Sequence, residues 1–210
     1  MMIRSIITTD VFDTYTYFYI DDKTNRGFLI DPAAEPDKLL AIIDNNSWII
    51  EKILLTHGHF DHTGAVDAIH KTLNIPYFIH ENGRRYLEDT IWNLSAYCKR
   101  NVVLKDEKLI KDSDEISLSA NKDFLLKVLY TPGHTSDSVI FYSPKDKVAF
   151  VGDTIFKGAI GSTQYHGSSD KDLQNSILNR IFTLPKKTIL YPGHSEYTTV
   201  EIEKSRYMNY

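Results

Sequence analysis

Five of the eight histidines fall in three settings where imidazole and carboxylate groups are spaced to hold metal. The first is Thr56-His57-Gly58-His59-Phe60-Asp61-His62-Thr63-Gly64, directly after the apolar run Ile53-Leu54-Leu55. While the chain is still extended, residues two apart point the same way, so His57 and His59 can face one ion together. Gly58 between them permits close backbone approach. Asp61 and His62 come where a helix begins and can turn toward a second point nearby. A run of nitrogen and carboxylate donors this dense is a metal signature. The other two settings share a local grammar. Tyr130-Thr131-Pro132-Gly133-His134 and Leu190-Tyr191-Pro192-Gly193-His194 each place Pro-Gly-His just after a strand, and Pro-Gly sets a turn that presents the imidazole at the strand's end. Asp153 repeats the arrangement after Val148-Ala149-Phe150-Val151-Gly152. Four strand ends therefore deliver donor side chains to one edge, where an α/β site belongs. His70, His80 and His166 stand outside such settings and read as surface or hydrogen-bonded residues.

The elements that must position these groups alternate along the chain. Tyr15–Ile20 and Gly27–Ile30 are rich in aromatic and β-branched residues and read as strands joined by the polar loop 21–26. Pro36–Asn46 carries Leu39, Leu40, Ile42 and Ile43 at helical spacing, with Pro36 in its first turn. Lys52–Leu55 is a short strand, Gly64–Leu73 a helix and Pro76–Ile79 another strand. Residues 81–100 form a helical region broken near Asp89-Thr90. Its Tyr86, Leu87, Ile91, Trp92, Leu94 and Tyr97 suggest that it partly covers something apolar. Strands are expected at 124–130, 139–142, 147–151 and 188–191, and helices at 173–184 and 198–206. With no linker and no low-complexity segment, residues 1–210 read as one domain of layered α/β architecture.

Composition excludes several classes. An apolar fraction of 42% and a charged fraction of 25% are those of an ordinary globular protein. No apolar stretch approaches the ~18 residues of a membrane span. The opening segment meets Thr9 and Asp10 before a signal-peptide core forms. Cys98 is the single cysteine, so there is no internal disulfide and no thiolate pair for zinc. A cytoplasmic setting is expected. A net charge of −4 lacks the basic stripe of a nucleic-acid binder, which leaves a small-molecule substrate as the expected partner.

His57-Gly58-His59-Phe60-Asp61-His62 matches the H-x-H-x-D-H motif of the metallo-β-lactamase superfamily, and His134, Asp153 and His194 follow in the expected order. The resemblance spans nearly the whole chain. It implies a four-layer αββα sandwich with two divalent metal ions at one edge. It also implies that His57, His59 and His134 hold the first ion, that Asp61, His62 and His194 hold the second, and that Asp153 bridges both. Asp31, in Leu29-Ile30-Asp31-Pro32, matches the family's first-motif aspartate and reads either as a support behind the ligands or as a turn residue before proline. Zinc is the first expectation for the metal, with iron or manganese as alternatives that the same donors suit.

Within the superfamily, Thr131-Pro132-Gly133-His134-Thr135-Ser136-Asp137-Ser138-Val139 and Gly152-Asp153-Thr154-Ile155-Phe156 resemble the glyoxalase II branch, which hydrolyses hydroxyacyl thioesters of glutathione. The implied activity is hydrolysis of a small thioester. Two ions sharing one water lower its pKa from ~15.7 toward ~7 and polarise the carbonyl, while Asp61 orients the attacking group as the catalytic carboxylate. A thiolate leaves readily because its pKa is near ~8.5. Lys157 and Tyr165, in the loop after Asp153, are either substrate contacts or ordinary exposed residues. Glutathione-specific members add a cation and a tyrosine to this loop, where Ser162 and Gln164 stand here, so glutathione is not expected to be the natural carrier. The alternatives within the same fold are a mononuclear iron persulfide dioxygenase and a lactonase. The dioxygenase branch has Gly-Arg-Thr-Asp where this chain has Gly161-Ser162-Thr163-Gln164.

Overall fold

Period-two alternation builds a first sheet with two apolar faces. In the computed structural model, which describes residues 1–208, strands β1 (Met2–Thr9), β2 (Asp13–Asp21) and β3 (Arg26–Ile30) form an antiparallel meander. Strands β4 (Ile49–Leu54), β5 (Tyr77–His80) and β6 (Lys108–Ile110) continue it in parallel, in the order β1-β2-β3-β4-β5-β6. Parallel neighbours need crossovers. These are helix α1 (Pro36–Asn45), then α2 (Phe60–Thr63) with α3 (Val66–Leu73), then α4 (Arg84–Glu88) with its flanking 3-10 turns. The second sheet contains β7 (Glu115–Ser117), β8 (Leu125–Tyr130), β9 (Val139–Ser143) and β10 (Val148–Gly152). A small hairpin of β11 (Ile155–Phe156) and β12 (Ala159–Ile160) follows. Strands β13 (Ile189–Pro192) and β14 (Thr198–Thr199) complete the order β14-β13-β10-β9-β8-β7.

The two sheets meet face to face. On β2, Tyr17 and Tyr19 enter the core between the sheets with Phe28, Phe141 and Phe150, while Phe18 and Ile20 point the other way, under α1 and α3 with Leu39, Ile43 and Ile69. The outer face of the second sheet is covered by Leu173, Ile177, Ile181 and Val200, from α5 (Asp170–Ser176), the π turn after it, and α6 (Val200–Tyr207). Helix, sheet, sheet and helix are stacked as the expected αββα sandwich.

The sequence pattern departs from the structure where elements are short or lie at an edge. Strand β1 has no anticipated counterpart because only Thr8 of its eight residues is buried, so no alternation marks it. Strands β6 and β7 have three residues each, too few to carry a pattern. The helix expected at 173–184 starts earlier, where the Ser169 hydroxyl accepts from the Asp172 N–H as a cap, and it ends in the π turn Ile177–Ile181. Among the described residues, no helix is long and apolar enough to cross a membrane.

What the fold does for the site is to align strand ends. Strands β4, β8, β10 and β13 all finish at one edge. There the Val139 N–H donates to the Thr56 carbonyl (2.8 Å), the Gly193 N–H to the Gly152 carbonyl (2.9 Å), and the Tyr15 N–H to the Gly193 carbonyl (2.8 Å). These bonds lock the loops after the strands to one another across both sheets.

Candidate metal centre

All seven side chains singled out by motif converge at this edge. His57, His59 and His134 bring one ligand atom each to within 4.8 Å of one another, as do Asp61, His62 and His194, and as do His57, His62 and Asp153. His59 Nδ1 lies 3.2 Å from His57 Nε2 and 3.0 Å from His134 Nε2. On the other side His62 Nε2 and His194 Nε2 are 3.3 Å apart, and Asp61 Oδ2 is 3.2 Å from His194 Nε2. Asp153 joins the two groups. Its Oδ1 is 3.3 Å from His62, and its Oδ2 is 3.6 Å from His134 and 3.4 Å from His194.

The outward nitrogens explain why the inward ones fit a metal. His134 Nδ1 faces the Ser162 carbonyl at 2.8 Å and His194 Nδ1 the Asp13 carbonyl at 2.9 Å. A carbonyl can only accept, so each Nδ1 carries a proton and each Nε2 faces inward, where it can coordinate a metal once free of a proton of its own. His62 Nδ1 is likewise 2.9 Å from Asp31 Oδ2, and His57 Nδ1 is 3.2 Å from the Thr56 hydroxyl. His59 Nε2 and Asp153 Oδ1 are left buried with no hydrogen-bond partner, while five imidazoles and two carboxylates crowd one edge. Such crowding is unfavourable unless a cation sits among the donors. The residues present therefore fit divalent metal.

Electrostatics divides the cluster. Burial, with the neighbouring imidazoles, holds His57 well below its ordinary pKa, takes His59 down to about 3, and lowers His134. For His62 burial acts in the same direction, but Asp153 and Asp31 override it and leave the ring well above its usual value. His194, despite burial, is raised to about 10 by its bonds to Asp153 and Asp61. Burial would raise both carboxyls, yet His62 and His194 keep Asp153 well below the usual carboxylate range, and His194 keeps Asp61 low.

Both readings of Asp31 hold. Its backbone is left-handed (φ 47°), as a turn residue's can be, and its carboxylate accepts from the Thr56 N–H (2.8 Å), the Thr56 hydroxyl (2.6 Å) and His62. Thr56 thereby links Asp31 to His57, a role its sequence position did not reveal. Gly58 makes room for Tyr86, whose Cβ would lie 2.4 Å from an added methyl. Gly193 is equally constrained, since a side chain there would meet Asp153 Oδ1 at 2.4 Å.

A cleft of about 700 Å³ opens over the cluster. Tyr165 lines it, with its ring 5.6 Å from that of His59. Lys157 does not, because its ammonium is held by Glu196 at 2.7 Å. His166, read from sequence as an ordinary residue, is part of the wall and stacks on Trp92. His70 and His80 are structural as expected, bonded to the Ile75 carbonyl and stacked on Tyr130 respectively. Leu94 and Tyr97 show what the segment 81–100 covers, which is the cleft itself.

The sequence profile of the metallo-β-lactamase superfamily matches residues 9–194. The chain belongs to that superfamily. Membership, with the histidine and aspartate cluster, supports a metal-dependent hydrolase. The crystal structure of the BLEG-1 B3 metallo-β-lactamase is similar at 32% identity with a TM-score of 0.89, covering 97% of each chain. That of TTHA1623 in a di-iron-bound form is similar at 29% identity and a TM-score of 0.85, covering 96% of each. The hydroxyacylglutathione hydrolase GloC of Haemophilus influenzae is 28% identical over 208 residues, 95% of this chain and 93% of the relative.

Proposed function

We propose that the chain is a binuclear metal-dependent hydrolase of small thioesters. His57, His59 and His134 would hold one ion and Asp61, His62 and His194 the other. The observation that carries this reading is Asp153, one carboxylate within 3.6 Å of imidazoles from both groups. The di-iron form of TTHA1623 supports two ions and sets iron beside zinc as their identity. When bound, such a pair activates a water and polarises the scissile carbonyl.

The chain's own residues do the rest. Asp61, which lines the cleft 3.2 Å from His194, accepts a hydrogen bond from the attacking water and orients it. The outward bonds of His134, His194 and His62 keep their rings in the orientation that catalysis needs. Among the described residues no lysine lines the cleft, and its remaining proton donors outside the cluster include Tyr165 and His166. A thiolate, with a pKa near ~8.5, leaves without depending on such a donor, which an alkoxide needs far more. GloC's thioester chemistry supports the same choice.

A second reading, opening of a β-lactam ring, is favoured by the likeness to BLEG-1. Metal analysis of the purified protein with a substrate panel separates the readings. The panel holds S-lactoylglutathione, a neutral alkyl thioester, a lactone, a cephalosporin and a persulfide. The expected result is two ions per chain and a kcat/KM for thioesters at least tenfold above the other classes. One ion with oxygen uptake on the persulfide would replace the hydrolase by a dioxygenase, and preference for the cephalosporin would install the second reading.

A further inference from the structure

The walls of the cleft specify what lies next to the bond. Phe12, Leu94 and Tyr97 line the cleft with Phe60, 2% exposed, packed against Phe12, and Phe156 stands beside His194 with ring centroids 6.1 Å apart. Phe12 is 50% exposed and Tyr97 66% exposed. Large rings left bare beside a polar centre mark a surface kept for a ligand. The patch is also held in place. The Phe60 N–H donates to the Asn93 carbonyl at 2.9 Å, Phe12 packs on Phe60 at 6.2 Å, and the loop carrying Phe12 is tied to the segment carrying Tyr97 by Arg100 and Asp10 at 2.6 and 2.8 Å.

Charge points the same way. Asp61 and Asp153 belong to the metal cluster, and the other described residues lining the cleft include no lysine, arginine, aspartate or glutamate. The nearby cations are occupied elsewhere: Lys157 by Glu196, Arg100 by Asp10, and Arg85 by the face of Trp92 at 3.7 Å. A carrier with two carboxylates, such as glutathione, finds no partner here, and each missing charge-assisted contact costs about ten- to a hundredfold in affinity.

We propose that this site selects an uncharged substrate with a bulky apolar group, an aryl or medium-length alkyl chain, seated on the patch of Phe12, Leu94 and Tyr97 that Phe60 backs. The inference rests on the thioester reading for the bond cleaved and adds the group beside it. Each methylene buried on the patch raises affinity up to about fourfold.

The test is calorimetric binding to the metal-loaded protein of ketones in which a methylene replaces the thioester sulfur. The acyl chain grows from acetyl to octanoyl, on a neutral arm and on a glutathione arm. Affinity for the neutral series should climb with length by at least tenfold overall and exceed that for the glutathione series. Phe12→Ala and Tyr97→Ala, both at exposed positions, should flatten the climb, losing most for the longest ligand. Phe12→Lys should weaken the neutral series and strengthen the glutathione one. A flat series, a preference for the glutathione arm, or no binding of any ketone overturns the inference. Turnover of the matching thioesters keeps the two readings apart. Hydrolysis indifferent to chain length removes the apolar selectivity and leaves the thioesterase. Length-dependent ketone binding without any thioester hydrolysis removes the thioesterase and leaves the selectivity.

Discussion

The two groups of donors sit a few ångströms apart and obey opposite electrostatics. His57, His59 and His134 are three imidazoles with exposures of 1%, 2% and 3%, and burial keeps them neutral. Asp61, His62 and His194 mix carboxylate with imidazole, and Asp153 and its neighbours keep both rings charged when no cation is present. The first half is thus ready to coordinate as folded. In the second half, an ion must displace protons that stand in for it. On the two-ion reading proposed above, one fold would offer two sites of different readiness, with Asp153 shared between them.

Removing the coupling should have the largest effect. On that reading Asp153→Ala takes a ligand from both halves, and it leaves His62 and His194 without the carboxylate between them. Loss of an outer hydrogen-bond partner alone costs a metal site about 10–100-fold, so loss of this shared contact should cost turnover about a thousandfold or more. Elemental analysis after gel filtration should find fewer than one ion per chain. Retention of two ions with near-normal turnover would mean that the halves are independent and that Asp153 bridges nothing.

Acidity should then distinguish the halves. Binding at the second half releases protons from His62 and His194, so its affinity should rise about a hundredfold or more from pH 6 to pH 8, while the first half changes by less than about tenfold. Calorimetric titration in buffers of different ionisation heat counts the protons released with each ion. Equal release from both would erase the contrast. The metal-free protein should carry the same signature in its stability. His59, depressed to about 3, contributes stability that is present above its ordinary pKa and lost as pH falls from about 6.5 toward 3. His194, raised to about 10, contributes stability that is present below about 6.5 and lost as pH rises through 10. In urea unfolding, the stability lost relative to the parent should rise with pH for His59→Gln between about 3 and 6.5, and fall with pH for His194→Gln between about 6.5 and 10.

The identities of the donors were legible in the sequence because metal chemistry restricts side chains to a few types, and strand ends place those types in recognisable spacings. The long strands were legible from composition, since Tyr15–Ile20 and Gly27–Ile30 are dense in aromatic and β-branched residues, but which face each side chain takes came only with the fold, because Tyr17 through Ile20 are all apolar and all buried. The asymmetry between the halves was not legible. It depends on distances such as the 2.9 Å from His62 to Asp31, which lie 31 positions apart and meet only in the fold. The cleft patch was legible in part. The apolar content of 81–100 announced a covered surface, but Phe12 comes from a loop and shows no pattern, and Thr56 looks like any residue after a strand. His166 gave no signal at all, because its place on the wall follows from the stacking on Trp92 and from its carbonyl's bond to the Tyr86 hydroxyl.

The smallest effects concern what lies beneath each half. Under the second half, Asp31 is fully engaged, accepting from Thr56 twice and from His62. Near the first half, Asp137 is fully buried beside Gly58, and neither of its oxygens has a hydrogen bond of good geometry. Burial pushes its carboxyl up to about 7, with only partial relief from the Thr135 hydroxyl and nearby backbone N–H groups. A carboxyl whose folded pKa exceeds its unfolded one destabilises the fold progressively as pH rises between the two values, here from about 4 to about 7. Asp137→Asn removes that charge in nearly the same volume. It should stabilise the protein by about 1–2 kcal/mol at pH 8, less than the full ionisation cost because the amide is itself buried and polar, and by nothing measurable at pH 4. Metal affinity should stay within about threefold of the parent. Asp31→Asn makes the opposite exchange. It removes an acceptor in use, so it should weaken the second ion about 10–100-fold and destabilise the fold at pH 8. Urea denaturation at the two pH values, beside metal titration, reads both variants. If Asp137→Asn destabilises at pH 8 as Asp31→Asn does, the two buried carboxylates are equivalent supports, and the contrast between the halves stops at the ligands themselves.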